Sequence, residues 1–89
     1  MRRDGDALQF SGALVRPAVA ALWSQALPLA GGVSRFDLTQ VDHVDSAGLA
    51  LLAELATRAD RVVEVVGNPS NLADLRAAYR LAPDLSFAV

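Results

Sequence analysis

Three short strand-like segments, residues 6–12, 33–39 and 62–66, are separated by longer stretches with helical spacing. This alternation constrains the fold more than any other feature of the chain. In the first segment Leu8 and Phe10 alternate with polar neighbours, the period-two pattern of a half-buried strand. The second carries Val33, Phe36 and Leu38. The third, V-V-E-V-V, is β-branched and ends at Gly67-Asn68-Pro69, a strong turn signal. Between the first two, Pro17 fits the first turn of a helix, where a missing N–H costs nothing. Val19, Leu22, Trp23 and Ala26 then recur at helical spacing until Pro28 and Gly31-Gly32 close the loop. A second helix is expected over residues 46–58. A third is capped by Ser70 or Asn71, with Leu72, Leu75 and Tyr79 on one face, Asp74 early and Arg80 late. The tail P-D-L-S-F-A-V reads as a short docked extension.

Strands joined through whole helices cannot be hairpin partners, so the connections must cross over. The order β-α-β-α-β-α predicts an α/β fold with a small, mainly parallel sheet. Asp4-Gly5 is a hairpin-turn dipeptide, but only Met1 to Arg3 precede it, so a strand there would be a stub. Without one, Leu8 and Phe10 would lie on a sheet edge.

Eighty-nine residues are read as a single domain, 1–89. A net charge of -2 argues against nucleic acid, which demands a basic face. The eight basic residues are all arginines, scattered along the chain. Glu54 and Glu64 interrupt the best apolar runs, so no direct membrane insertion is expected. The start, M-R-R-D-G-D, is not followed by a signal-peptide apolar region. With no cysteine there is neither a disulfide framework nor a thiolate metal site, and a cytoplasmic location is the default.

The chemistry-bearing stretch is V-D-H-V-D-S-A-G-L-A-L-L-A-E-L, residues 41–55. Ser46 stands where an extended segment turns into a helix, so its hydroxyl can cap an orphan N–H. Gly48 in the first turn costs about 1 kcal/mol of helix propensity, and it lets a backbone or a ligand approach closely. A nucleophile reading fits poorly. Residues 43–45 are expected in the connection just before Ser46, and a nucleophile elbow needs glycine where Val44 stands. Asp42, His43 and Asp45 offer no fourth metal ligand and no known spacing. No catalytic residue or metal site is therefore expected, and neither a cofactor nor a small-molecule substrate is anticipated. A hydroxyl at a helix start can also be phosphorylated, adding a dianion at the positive end of the helix dipole. The helix itself carries a surplus of apolar residues. Leu49, Leu52, Ala53 and Ala56 form one stripe, and Leu51 with Leu55 a second. One stripe meets a core, so the surplus implies another buried face, inside the domain or against a partner.

Taken together, L-Q-F-S-G, a helix containing A-L-W, and D-L-T-Q-V-D-H-V-D-S-A-G-L-A-L-L resemble the STAS domain family, over about residues 6–82. The nearest likeness is to the small STAS subunits of bacterial phospholipid-transport ABC complexes. The resemblance implies about four strands in a mainly parallel or mixed sheet, with three to four helices and no enzymatic activity. It implies docking on the transporter's cytoplasmic ATPase subunit, which holds the protein peripheral to the inner membrane and supports maintenance of outer-membrane lipid asymmetry. The implied contact carries over to Asp45, Ser46, Gly48 and Leu49, with Leu49, Ala50 and Ala53 as apolar surface. The alternative it implies is an anti-sigma factor antagonist with Ser46 as phospho-acceptor. Sigma-regulating members usually keep acidic residues after the S-G pair, whereas Ala13, Leu14 and Val15 follow it here.

Overall fold

The computed structural model describes residues 1–59 and 63–79. Its strands are β1 (Arg2–Asp4), β2 (Ala7–Leu14), β3 (Arg35–Val44) and β4 (Glu64–Val66). Its helices are α1 (Arg16–Ala26), α2 (Ser46–Arg58) and α3 (Leu72–Tyr79), and a 3-10 turn (Leu27–Leu29) follows α1. The strands lie in the order β1-β2-β3-β4, with β1 antiparallel to β2 and the other pairs parallel. The architecture is the expected small α/β fold with a mixed sheet, α1 and α2 serving as the crossovers.

The amino-terminal stub is a real strand. Chain reversal through Gly5, in the left-handed region at φ 61°, pairs Arg2 to Asp4 with Gln9 to Ala7. Leu8 is therefore flanked on both sides, and the edge position that a missing strand would have left does not arise. Arg3 locks this corner: its Nη1 donates to the Leu29 and Gly31 carbonyls at 2.8 and 2.7 Å, fastening the turn that follows α1.

Strand β3 is longer than its hydrophobic pattern announces. Its partners on β2 slip twice, between Gln9 and Ser11 and between Gly12 and Ala13, and each slip adds one residue to β3. The buried positions consequently run Phe36, Leu38, Val41, Val44, because each bulge turns the inward face by one residue. His43 and Val44 thus belong to the strand, not to the connection expected there. At the far edge, Gly67 adopts φ 100°, and a Cβ on it would lie 2.7 Å from the Leu38 carbonyl carbon. Only glycine lets the turn after β4 pass so close to β3.

The core lies between one face of the sheet and the helices. Leu8, Phe10, Leu14, Phe36, Leu38 and Val44 point inward from the strands, and Phe10 meets Phe36 edge to face at 5.9 Å. Helix α2 contributes Leu49, Leu51, Leu52 and Leu55, all buried. It packs against α1 and α3 as well as the strands beneath. The leucines of both stripes therefore turn inside the domain, the first of the two alternatives, while Ala53 and Ala56 stay half-buried. Arg80 and the tail from Pro83 lie outside the described residues, as does Val62 of the expected third strand.

Candidate functional site: the amino-terminal end of helix α2

Strand β3 ends at Val44 and α2 begins at Ser46, leaving Asp45 as the hinge between them. Asp45 is extended (φ -100°, ψ -177°), the backbone of an N-cap residue. One carboxylate oxygen accepts from the Gly48 N–H at 2.8 Å, and the other from the Arg16 N–H at 2.9 Å. A single carboxylate thus satisfies orphan donors at the starts of both α1 and α2. The Gly48 N–H, followed by that of Arg16, holds the Asp45 carboxyl below its ordinary pKa; partial burial opposes this, while the Ala47 N–H and the His43 charge add to it.

The cap is Asp45 rather than Ser46, which corrects the capping role read for the serine. Both residue types suit the position, and the second donor on Arg16 selects the carboxylate, which has two acceptor oxygens. Ser46 is left at the first helical position, exposed, and its hydroxyl makes no hydrogen bond among the described residues. Gly48 is required by a close approach: a Cβ there would stand 2.0 Å from the Leu14 carbonyl oxygen. That same oxygen accepts from the Asp45 N–H at 3.1 Å, so the end of β2 is clamped to the start of α2. Of the two alternatives for Gly48, backbone or ligand, the approaching group is backbone.

The remaining site residues divide by exposure. Ala50 is exposed and Ala53 is half-buried against the core. Leu49 is 3% exposed, so its expected place in an apolar surface is corrected. Its side chain belongs to the buried core cluster, with the other leucines of α2. His43 is exposed at the end of β3, where it forms an isolated parallel bridge with Ser70. No hydrogen bond joins His43, Asp45 and Ser46 into a relay among the described residues, because Asp45 spends its oxygens on backbone N–H groups. No cluster of three potential metal ligands occurs among the described residues.

Ser70 and Asn71, read from sequence only as alternative caps of the third helix, complete the site. The Asn71 side-chain amide donates to the Val44 carbonyl at 3.2 Å from a left-handed backbone (φ 75°), and the Val44 N–H donates to the Ser70 carbonyl. The turn before α3 therefore braces the end of β3. A glycine-asparagine-proline turn marks the region in sequence, but nothing local marks the Val44 partner.

A parallel strand delivering a capped helix whose first residue is an exposed hydroxyl, on a sheet of this order, defines the class. The chain belongs to the STAS domain family. The family model that it matches, over residues 1–85, is described as "Mlab, STAS domain". Curated relatives include the intermembrane phospholipid transport system binding protein MlaB of Escherichia coli (strain K12), 32% identical over 84 residues. That match covers 91% of this chain and 87% of the relative. The MlaB protein of Shigella flexneri is similar to the same extent. No helix among the described residues is long and apolar enough to cross a membrane.

Proposed function

We propose that this chain is a non-catalytic STAS subunit of an Mla-type phospholipid-transport ABC complex, acting by binding the complex's cytoplasmic ATPase subunit. The observation that carries the reading is the exposed Ser46 hydroxyl, free of any capping duty, on a helix start held rigid by Asp45 and Gly48. A recognition point benefits from such fixation, because little ordering entropy is lost on docking. Ser46 would be the polar anchor, with Ala50 and Ala53 as the small apolar surface beside it and Leu49 supporting them from below. Asp45 and Gly48 would position the contact rather than make it. The subunit would act by binding energy alone, favouring the assembled ATPase over the dissociated one. It would work on the cytoplasmic side, peripheral to the inner membrane through its partner, and the transported lipid would not touch it.

The relatives' name, a phospholipid transport system binding protein, supports the setting. Co-purification tests the reading: tagged protein is expected to retain the ATPase subunit of the same organism's transporter through washing. Recovery without that subunit, at matched expression, would overturn it.

A second reading keeps the fold and makes Ser46 a phospho-acceptor in an anti-sigma factor antagonist. The unengaged hydroxyl favours it, while the apolar Ala13-Leu14-Val15 after Ser11-Gly12 does not. Incubation with candidate kinases and intact-mass measurement would reveal a singly phosphorylated species.

A further inference from the structure

Arginine 16 occupies a place that the fold gives no reason to fill with a cation. It is the first residue of α1, at the positive end of the helix dipole, and the first turn of that helix contains no acidic residue. Among the described residues, the other arginines are all engaged. Arg2 donates to Gln9, Arg3 to the Gly5, Leu29 and Gly31 carbonyls, Arg35 pairs with Asp6, and Arg58 pairs with Glu54 and covers the Trp23 ring. Arg76 is half-buried and engaged. The Arg16 guanidinium, by contrast, is exposed and has no partner among the described residues. Asp45 does not supply one, since its oxygens are committed to the Gly48 and Arg16 backbone N–H groups. Those bonds nevertheless fix where Arg16 stands. Its backbone nitrogen is 2.9 Å from the carboxylate of the residue immediately before Ser46.

We infer that Arg16 is a specificity-determining contact of the same docking surface, pairing with a carboxylate side chain on the partner protein; this rests on the partner-binding reading of Ser46. A planar guanidinium matches a carboxylate through two parallel hydrogen bonds, giving orientation as well as attraction. The dipole of α1 disfavours the charge in the free subunit, and an incoming carboxylate relieves that disadvantage. An anionic lipid surface is the less fitting occupant. Attraction to a membrane builds from a cluster of basic residues, whereas this chain carries a net charge of -2 and its arginines are scattered.

The test is a titration of the purified ATPase subunit of the same organism's transporter with wild type, Arg16→Gln and Arg16→Glu, at 50 and 500 mM NaCl. Binding is expected to weaken roughly 5–10-fold for Arg16→Gln and about 100-fold or more for Arg16→Glu at low salt. Salt should weaken wild type more than Arg16→Gln. In thermal melts both variants should match or exceed wild type, because a cation has left the positive end of a helix. A stability gain joined to a binding loss separates a contact from a structural role. Wild-type binding with unchanged affinity in Arg16→Glu would overturn the inference and leave the partner reading standing. Failure of wild type to bind would overturn both. Co-sedimentation with phosphatidylglycerol vesicles that is lost in Arg16→Gln, with ATPase binding intact, would overturn the inference in favour of lipid.

Discussion

The Cβ that Gly48 lacks would stand 2.0 Å from the carbonyl oxygen of Leu14. The obstacle is backbone, which cannot rotate away as a side chain can. Gly48→Ala gains about 1 kcal/mol of helix propensity but forces the end of β2 away from α2, an overpacking cost of about 3 kcal/mol or more. Urea denaturation is expected to show a net loss of at least ~2 kcal/mol. A variant as stable as wild type would mean that β2 and α2 do not meet as described.

Asp45 sets the second prediction. Its carboxyl is held below the ordinary aspartate value of about 3.9 by the Gly48 and Arg16 N–H groups. Asp37 is likewise lowered, chiefly by the Thr39 hydroxyl and then by the Thr39 N–H. A carboxyl with a depressed folded-state pKa stabilises fully above its unfolded value, and that contribution fades as the pH falls through the folded value. Thermal melts should therefore be flat from neutrality down to about pH 5 and decline below about pH 4. Asp45→Ala should melt several degrees lower than wild type at pH 7, with Asp45→Asn in between, and the gap should narrow toward pH 3. A gap that widens on acidification would contradict the double cap.

Exposure along α2 separates folding from recognition. Leu52 is fully buried, and Leu52→Ala should cost about 2–5 kcal/mol in denaturation. Ala50 is exposed, and Ala50→Asp should stay within about 1 kcal/mol of wild type, since surface changes in helices are small. The same Ala50→Asp is expected to weaken capture of the ATPase subunit. Equal effects of the two substitutions on stability would place Ala50 in the core.

Trp23 is the sole tryptophan and reports on the α1–α2 contact. The Arg58 guanidinium lies 5.2 Å from its ring centroid while forming a 3.6 Å pair with Glu54. Arg58→Ala should shift tryptophan emission to the red and cost less than about 1 kcal/mol, the scale of an exposed cation–π contact. Unchanged emission would argue that the two side chains do not meet.

These residues also show what a sequence can and cannot announce. Helix α2 was legible from end to end, because its leucines repeat at helical spacing and Asp45-Ser46 marks a start. The full length of β3 was not. Two bulges space its buried residues at Phe36, Leu38, Val41 and Val44, and the last two intervals suit a helix as well as a strand. The choice between Asp45 and Ser46 as cap depends on the Arg16 N–H, 29 residues away in sequence, so no local rule could make it. The doubled apolar stripe was visible, but its destination was not, since α1 and α3 reach the flanks of α2 only in the folded chain. Gly48 was recognised as a close-approach position, and only the structure names Leu14 as the group approached.

Under the proposed function, Ser46 faces a partner and does no work in the fold. Ser46→Arg tests it most directly, read by equilibrium binding to the purified ATPase subunit alongside the variant's own thermal melt. The expected result is a melting temperature within a few degrees of wild type and a loss of binding of at least about 100-fold, the effect of a bulky charge placed in a docked surface. Binding and ATPase stimulation equal to wild type in a folded Ser46→Arg protein would contradict it.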